Sequence, residues 1–270
     1  MKWGQWITSL LLAVLSLGML LPLIVMALNA LKGPQEIILP QLFPANPTLS
    51  NFREVLANTP ALTWFFNSLS FAVLSTLAIV FTSAISGFIM AKYQFLGRGL
   101  IFSIILATAI FPLEIYMIPL YLQARSLGLI DNLGGLVLPY LVMSLGIFLV
   151  RQYSTTSIHD SLLEAARVDG ATEFWIFRRV ALPLLRGPLG VVAVIAFFNA
   201  WTAFTWPIIV MLSQERFTLE VGMALFQTGF TMDYGKISAL ATLGLIPSIA
   251  FFYLARQAFA QGVPLSGDQE

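Results

Sequence analysis

Cysteine is absent from all 270 residues, and histidine occurs once, as His159. The first absence excludes disulfides, thiolate nucleophiles and cysteine-ligated metal or iron–sulfur centres. A single loop histidine is no basis for a metal site either. Charge is equally scarce: Asp, Glu, Lys and Arg make up 10% of the chain, where soluble domains carry about a quarter. The formal net charge of +1 offers no electrostatic footprint for nucleic acid. A phosphate-binding Gly-x4-Gly-Lys-Ser/Thr loop is missing, since Gly235-Lys236 is followed by Ile237 and preceded at the required position by Phe230. The apolar runs hold no Ser/His pair, paired carboxylates or histidine cluster, which argues against an intramembrane enzyme.

What the chain has instead is apolar length. Apolar residues make up 58% of it, and the mean hydropathy is +0.86. Residues 3–31, 55–91, 99–113, 132–150, 187–214 and 237–255 contain no Asp, Glu, Lys or Arg. A helix needs about 20 residues to cross a hydrocarbon core of roughly 30 Å. The pattern therefore predicts an all-α integral membrane protein, one transmembrane domain over 1–270, with six helices near 7–29, 65–91, 100–122, 133–153, 187–212 and 237–258. The third is the least regular, because Glu114 falls inside it between Pro112 and Pro119, and a kink there is expected. The apolar run from Ile7 to Leu28 is longer than a signal-peptide core, so the first helix is read as retained in the membrane.

Lys and Arg set the expected orientation. With the N-terminus inside, the cytoplasmic segments carry Lys2, Lys92, Arg98, Arg151, Arg167, Arg178, Arg179, Arg186 and Arg256. The outer segments carry Lys32, Arg53, Arg125, Arg216 and Lys236, and nine against five favours both termini inside. Residues 154–186 then lie in the cytoplasm. Outside lie a Pro- and Asn-rich segment, 33–63, expected to pack as a small cap, and a Gly-containing loop, 213–236. No internal repeat or low-complexity tract is present.

The 154–186 segment is the longest charged stretch. Asp160 or Ser161 can cap a helix through Leu163, Ala165 and Ala166, and Asp169-Gly170 interrupts it. Thr172 can cap a second helix through Trp175 and Val180, and Pro183 and Pro188 mark the return to the membrane. A short helix, a bend and a second helix, apolar on one side, suit a module lying along the membrane face.

Glu164-Ala165-Ala166-x-x-Asp169-Gly170-Ala171, with Phe177 and Leu182-Pro183-Leu184 after it, resembles the EAA motif of ABC importer permease subunits. The likeness runs through Leu21-Pro22, Asn67-Ser68, Phe95-Leu96-Gly97-Arg98, Pro112, Ile118-Pro119-Leu120, Leu127-Gly128-Leu129 and Phe259 to Gly262. It is closest to the shorter membrane subunit of maltose-type carbohydrate importers. The resemblance implies a type I importer fold in a prokaryotic plasma (inner) membrane, with coupling helices that dock into a nucleotide-binding subunit. On that pattern Glu164 is the acidic contact, Ala165 and Ala166 allow close approach, Gly170 supplies the bend, and Asp169, Ala171 and Pro183 complete the segment. The implied partners are a second homologous permease, two ATPase subunits, an extracytoplasmic solute-binding protein and membrane lipid. No cofactor is expected on this chain; ATP and Mg belong to the ATPase. Two departures stand out: Ile158-His159 where the family often has Ile-Pro, and an acidic tail, Gly262 to Glu270, where it often has a Gly-rich, Lys-containing one.

For the translocation path, Glu114 is the ionisable residue within a span. Asn199 and Thr202, three residues apart, share a helix face beside Trp201, and aromatic, amide and hydroxyl groups suit a sugar. The family often has Trp-Asn where this chain has Trp201-Thr202. A sugar or oligosaccharide is the expected substrate, with a polyol, a sugar phosphate or another organic solute as alternatives. A secondary transporter is the remote reading, since no repeat and no buried acidic pair supports ion coupling.

Overall fold

The computed structural model describes residues 2–37, 39–227 and 232–262, with side chains over 6–37, 39–227 and 232–255. Gly229 of the outer loop and the acidic tail beyond Gly262 lie outside the described residues. Helix α1 covers Lys2–Ala30, α2 Ser50–Asn58, α3 Ala61–Lys92, α4 Arg98–Thr108, α5 Leu113–Ser126, α6 Leu133–Val137 and α7 Ser144–Ser157. Then follow α8 Asp160–Val168, α9 Glu173–Ile176, α10 Leu182–Leu184, α11 Arg186–Trp201, α12 Pro207–Val210, α13 Leu219–Ala224 and α14 Tyr234–Gly262. Among the described residues the only β pairing is one isolated bridge between Gln227 and Met232.

Three helices are long and apolar enough to cross a membrane unaided: Trp6–Ala30, Ala61–Lys92 and Tyr234–Ala255. Three more spans arise only if bent pairs are joined. Arg98–Thr108 meets Leu113–Ser126 at 100°, Leu133–Tyr140 meets Ser144–Ser157 at 46°, and Glu173–Leu184 meets Arg186–Trp201 at 76°. The first break sits at Pro112, where a ring without an N–H cannot continue α4. The expected kink is thus a sharp turn. Likewise α11 ends at Trp201, so 202–206 is non-helical within the stretch read as one span to 212.

The chain divides into two compact units, 1–65 with 219–246 and 66–218 with 247–270. In the first, the described part of α1 up to Ile24 buries no side chain, while its end is tied down. Asn51, buried on α2, donates from Nδ2 to the carbonyls of Ala30 (2.9 Å) and Lys32 (2.8 Å). Lys236 pairs with Glu54 at 3.0 Å and Asp233 at 3.1 Å, and the Trp64 ring lies where a Cβ on Gly222 would sit. Within the Pro- and Asn-rich segment Glu36 accepts from the backbone N–H groups of Ala45 and Asn46 at 3.2 and 3.1 Å, while most described residues over 39–49 are exposed.

In the second unit the core joins α3, α7 and α11 to the charged segment: Ile79, Phe88, Val150, Ile158, Leu163, Ile176, Leu185 and Val192 form one cluster. A Cβ on Gly87 would lie 2.6 Å from that of Val150. Glycine therefore lets α3 and α7 approach closely, as small residues do in membrane bundles.

Candidate functional site

Helix α8 is anchored by few side chains and presents most of its surface. Leu163 is its buried residue, at 2% exposure, with Ile158 just before it at 1%. Burying two such side chains contributes about 1.5–3 kcal/mol each. Glu164, Ala165, Val168, Asp169 and Gly170 are exposed, and Ala166 and Ala171 half-buried. Val168 is 87% exposed, a large apolar side chain with no cover within the chain.

The helix stops where the sequence places the stop, and for a definable reason. Gly170 has φ +82°, the left-handed region. Its N–H donates to the Arg167 carbonyl at 3.0 Å, and that of Ala171 to Ala166 at 3.0 Å. This is the Schellman arrangement, with glycine in the position that needs positive φ. Thr172 then caps α9, accepting at Oγ1 from the Trp175 N–H at 3.3 Å. The start of α8 differs from expectation. Asp160 is the first helical residue, His159 holds the cap position, and no side chain caps the helix. The Asp160 carboxylate is taken up instead by the Lys92 ammonium, 2.7 Å away. That contact holds the Asp160 carboxyl below its usual range.

Lys92 sits at the end of α3 and also donates to the Ile158 carbonyl. Its side chain is 5% exposed, so the cation is committed to this junction. A second clasp joins the two short helices. Arg167 Nε donates to Glu173 Oε1 at 2.7 Å, and the Tyr93 hydroxyl donates to the other Glu173 oxygen. The Arg167 bond pulls the Glu173 carboxyl down. Burial, and then the bond to Glu173, pushes the Tyr93 phenol up. In the sequence Lys92 counts toward orientation only, and Tyr93 goes unmarked. The available signal was a Lys-Tyr pair at the end of a span, facing a charged segment.

Beyond α9 the helical run widens into a π turn over Phe177–Ala181 before α10. Pro183, exposed, has no N–H for the Arg179 carbonyl, and the wider turn beside it accommodates that gap. The 76° bend follows at Leu185. Between α8, α9 and the π turn lies a cleft of ≈ 630 Å³, lined by Leu162, Ala165, Ala166, Ala171, Trp175 and Val180. Ala165 and Ala166 line its α8 wall beside Leu162, and Trp175 stands half-exposed at 50% on the other.

On the path side, Glu114 is exposed in the first turn of α5, and Asn199 and Thr202 are exposed at the end of α11. Trp201 turns the other way. It is 6% exposed and stacked on Phe197, with centroids 5.9 Å apart, so its ring serves packing. Sequence reading also missed the ties of the outer loop. Asn67 donates to the carbonyls of Glu215 (2.9 Å) and Phe217 (3.0 Å). Asp131, at φ +58°, accepts from the N–H groups of Leu212 (2.9 Å) and Ser213 (3.0 Å). Among the described residues no group of three His, Cys, Asp or Glu could hold a metal.

The chain is similar to known proteins. The arabinooligosaccharide transport system permease protein AraQ of Bacillus subtilis (strain 168) is 33% identical, covering 96% of this chain and 94% of that one. The sulfoquinovosyl glycerol transport system permease protein SmoH of Agrobacterium fabrum (strain C58 / ATCC 33970) is 30% identical over 94% of this chain and 90% of its own. Among solved structures, a bacterial ABC transporter involved in import of the acidic polysaccharide alginate superposes with a TM-score of 0.82. It covers 96% of this chain and 97% of its own at 22% identity, a likeness of fold. Residues 83–263, which contain the whole charged module, match the family described as binding-protein-dependent transport system inner membrane component. The chain belongs to that family: it is a multi-pass, non-catalytic permease subunit of a binding-protein-dependent ABC importer.

Proposed function

We propose that α8 and α9 are the coupling helices through which ATP hydrolysis on a separate subunit moves this half of a translocation path. The carrying observation is the division of α8 into a small anchored side and an exposed Glu164-Ala165-Ala166 side, ended at Gly170. Glu164 gives the docked surface a charge and a register, and Ala165 and Ala166 let a partner backbone come close. Asp169 and Gly170 end α8, Ala171 donates the closing Schellman bond, and Pro183 leads the chain back toward the membrane. ATP and Mg would be held by the ATPase. Both termini would be cytoplasmic, as the Lys and Arg bias indicates. The partners in this reading are a second homologous permease, two ATPase subunits and an extracytoplasmic binding protein that delivers substrate to the outer loops.

The substrate we infer is a sugar or oligosaccharide. Support comes from the arabinooligosaccharide relative and from the exposed amide and hydroxyl of Asn199 and Thr202. Trp201, packed on Phe197, is left out of the path. The sulfoquinovosyl glycerol relative favours a second reading, an anionic solute.

Mild-detergent purification of the tagged chain, with mass spectrometry of what accompanies it, tests the assembly. Recovery of a second multi-span permease and a Walker-containing ATPase is expected. A chain that purifies alone and still drives uptake would contradict the proposal.

A further inference from the structure

Three helical runs of the larger unit break within charge-poor stretches: after Thr108, after Tyr140 and after Trp201. Non-helical backbone at membrane depth is stable only against protein or along a water-lined cavity, because lipid offers no hydrogen bonds. Discontinuous helices at that depth are where transporters place their substrate groups. Here the edges of the breaks meet. The Thr108 hydroxyl, at the end of α4, and the Ser144 hydroxyl, at the start of α7, share a hydrogen bond of 2.6 Å. Met143, the next residue, has its sulfur 3.9 Å from Asn199 Nδ2 on α11. The Leu141 carbonyl inside the second break accepts from Thr82 on α3 at 3.0 Å, so this break is held in place.

The chemistry of the meeting point is specific. Thr108 and Asn199 are exposed and Ser144 half-buried. Among the described residues the Asn199 amide meets only a thioether, a weak acceptor, and so keeps its capacity to donate and accept. The Thr108 hydroxyl donates back to the Ile105 carbonyl at 2.7 Å, so the hydroxyl pair offers acceptor lone pairs, and the carboxamide both donors and an acceptor, to the hydroxyl groups of a carbohydrate. No Lys or Arg occurs in 99–124, 132–150 or 187–214, and Glu114 is the single acidic residue in those stretches. It stands exposed just past the first break, in the first turn of α5, where the helix dipole favours its charge.

We propose that Thr108, Ser144 and Asn199 form a specificity-determining shelf on the translocation path, which takes the hydroxyl groups of an uncharged, polyhydroxylated solute, while Glu114 disfavours anionic ones. The inference rests on the permease reading above. It weighs against the anionic alternative, because Glu114 is the one charged residue in these stretches and no Lys or Arg there would compensate a phosphate or sulfonate. Glu114 and the Asn199 amide, exposed at this depth, would otherwise face hydrocarbon, which is costly, so a wet path explains them both.

The cysteine-free chain makes the test clean. Single-cysteine variants T108C, S144C and N199C, with L77C as an exposed apolar control on α3, are placed in the whole transporter in proteoliposomes. They are treated with membrane-impermeant cationic and anionic methanethiosulfonates. The three shelf positions should react faster than L77C by on the order of tenfold, and the cationic reagent's advantage should fall several-fold on an E114Q background. Shelf cysteines no faster than L77C would overturn the shelf. A reagent preference indifferent to E114Q would overturn the role of Glu114. ATPase activity stimulated by the binding protein is read in the same preparations. Stimulated ATPase with an unreactive shelf sinks this inference alone, whereas absence of any associated ATPase sinks the permease reading beneath it.

Discussion

Nothing lies within 4 Å of the place a Cβ would take at Gly170, so the constraint there is the backbone angle and not space. Left-handed backbone costs a non-glycine residue about 1–2 kcal/mol, less for Asn and more for a β-branched residue. Gly170→Val should therefore lower ATP-driven uptake strongly at equal membrane protein levels, with Gly170→Asn intermediate and Gly170→Asp impaired for both strain and added charge. Equal uptake by all three would show that the bend is not needed. Gly170 was legible in the sequence because the signal is local: one glycine after a run of helix formers. Lys92 was not, because its partners at Ile158 and Asp160 lie far along the chain. The same holds for Asp131, whose partners Leu212 and Ser213 come from another helix break. Burial acts to raise the Asp131 pKa but is outweighed by the bonds from Ser213 and Leu212, and the net shift is downward. A depressed carboxyl stabilises above its unfolded value and stops doing so as pH falls through the folded one. The protection of the Leu212 and Ser213 amides against exchange, measured relative to the intrinsic rate at each pH, should thus hold from neutrality into the acid range and fall only below the usual carboxylate range. Loss of protection already near neutrality would contradict the assignment.

At the scale of elements, the α8–α9 pair is held at two points of unequal weight. Arg167 and Glu173 are 39% and 50% exposed, so their pair contributes under about 1 kcal/mol. Lys92 is 5% exposed and fixes the Ile158 carbonyl as well. Lys92→Met should loosen the module and depress uptake more than Glu173→Gln, with membrane insertion preserved in both. Uptake that falls further in Glu173→Gln would reverse the ranking. Element existence was readable from apolar length for α1, α3 and α14, whose runs are long and continuous. The other spans were readable as hydropathy but not as shape. A bend of 100° at Pro112 or 76° at Leu185 leaves apolar content unchanged and alters only direction. The side of α11 that Trp201 faces was likewise invisible, since an aromatic suits lipid, ligand and core alike; in the structure it is 6% exposed and stacked on Phe197.

For the whole molecule, function depends on chains that are not this one. The large side chains of the module, Val168 at 87%, Phe174 at 71% and Trp175 at 50% exposed, have little cover within this chain, as the proposed docking on a separate subunit requires. Rigid transfer of motion also needs a module fused to the membrane core. The shared cluster of Phe88, Val150, Leu163, Ile176 and Leu185 provides that fusion. A shape change in a docked ATPase would then act on α3, α7 and α11 together, provided it binds the two conformations differently. The measurement that meets this claim most directly places a photo-crosslinking amino acid at Val168 in the intact transporter and identifies the chain it captures. The account predicts a crosslink to the ATP-hydrolysing subunit. Capture of lipid or of this chain alone, in a transporter that still hydrolyses ATP and imports, would contradict it.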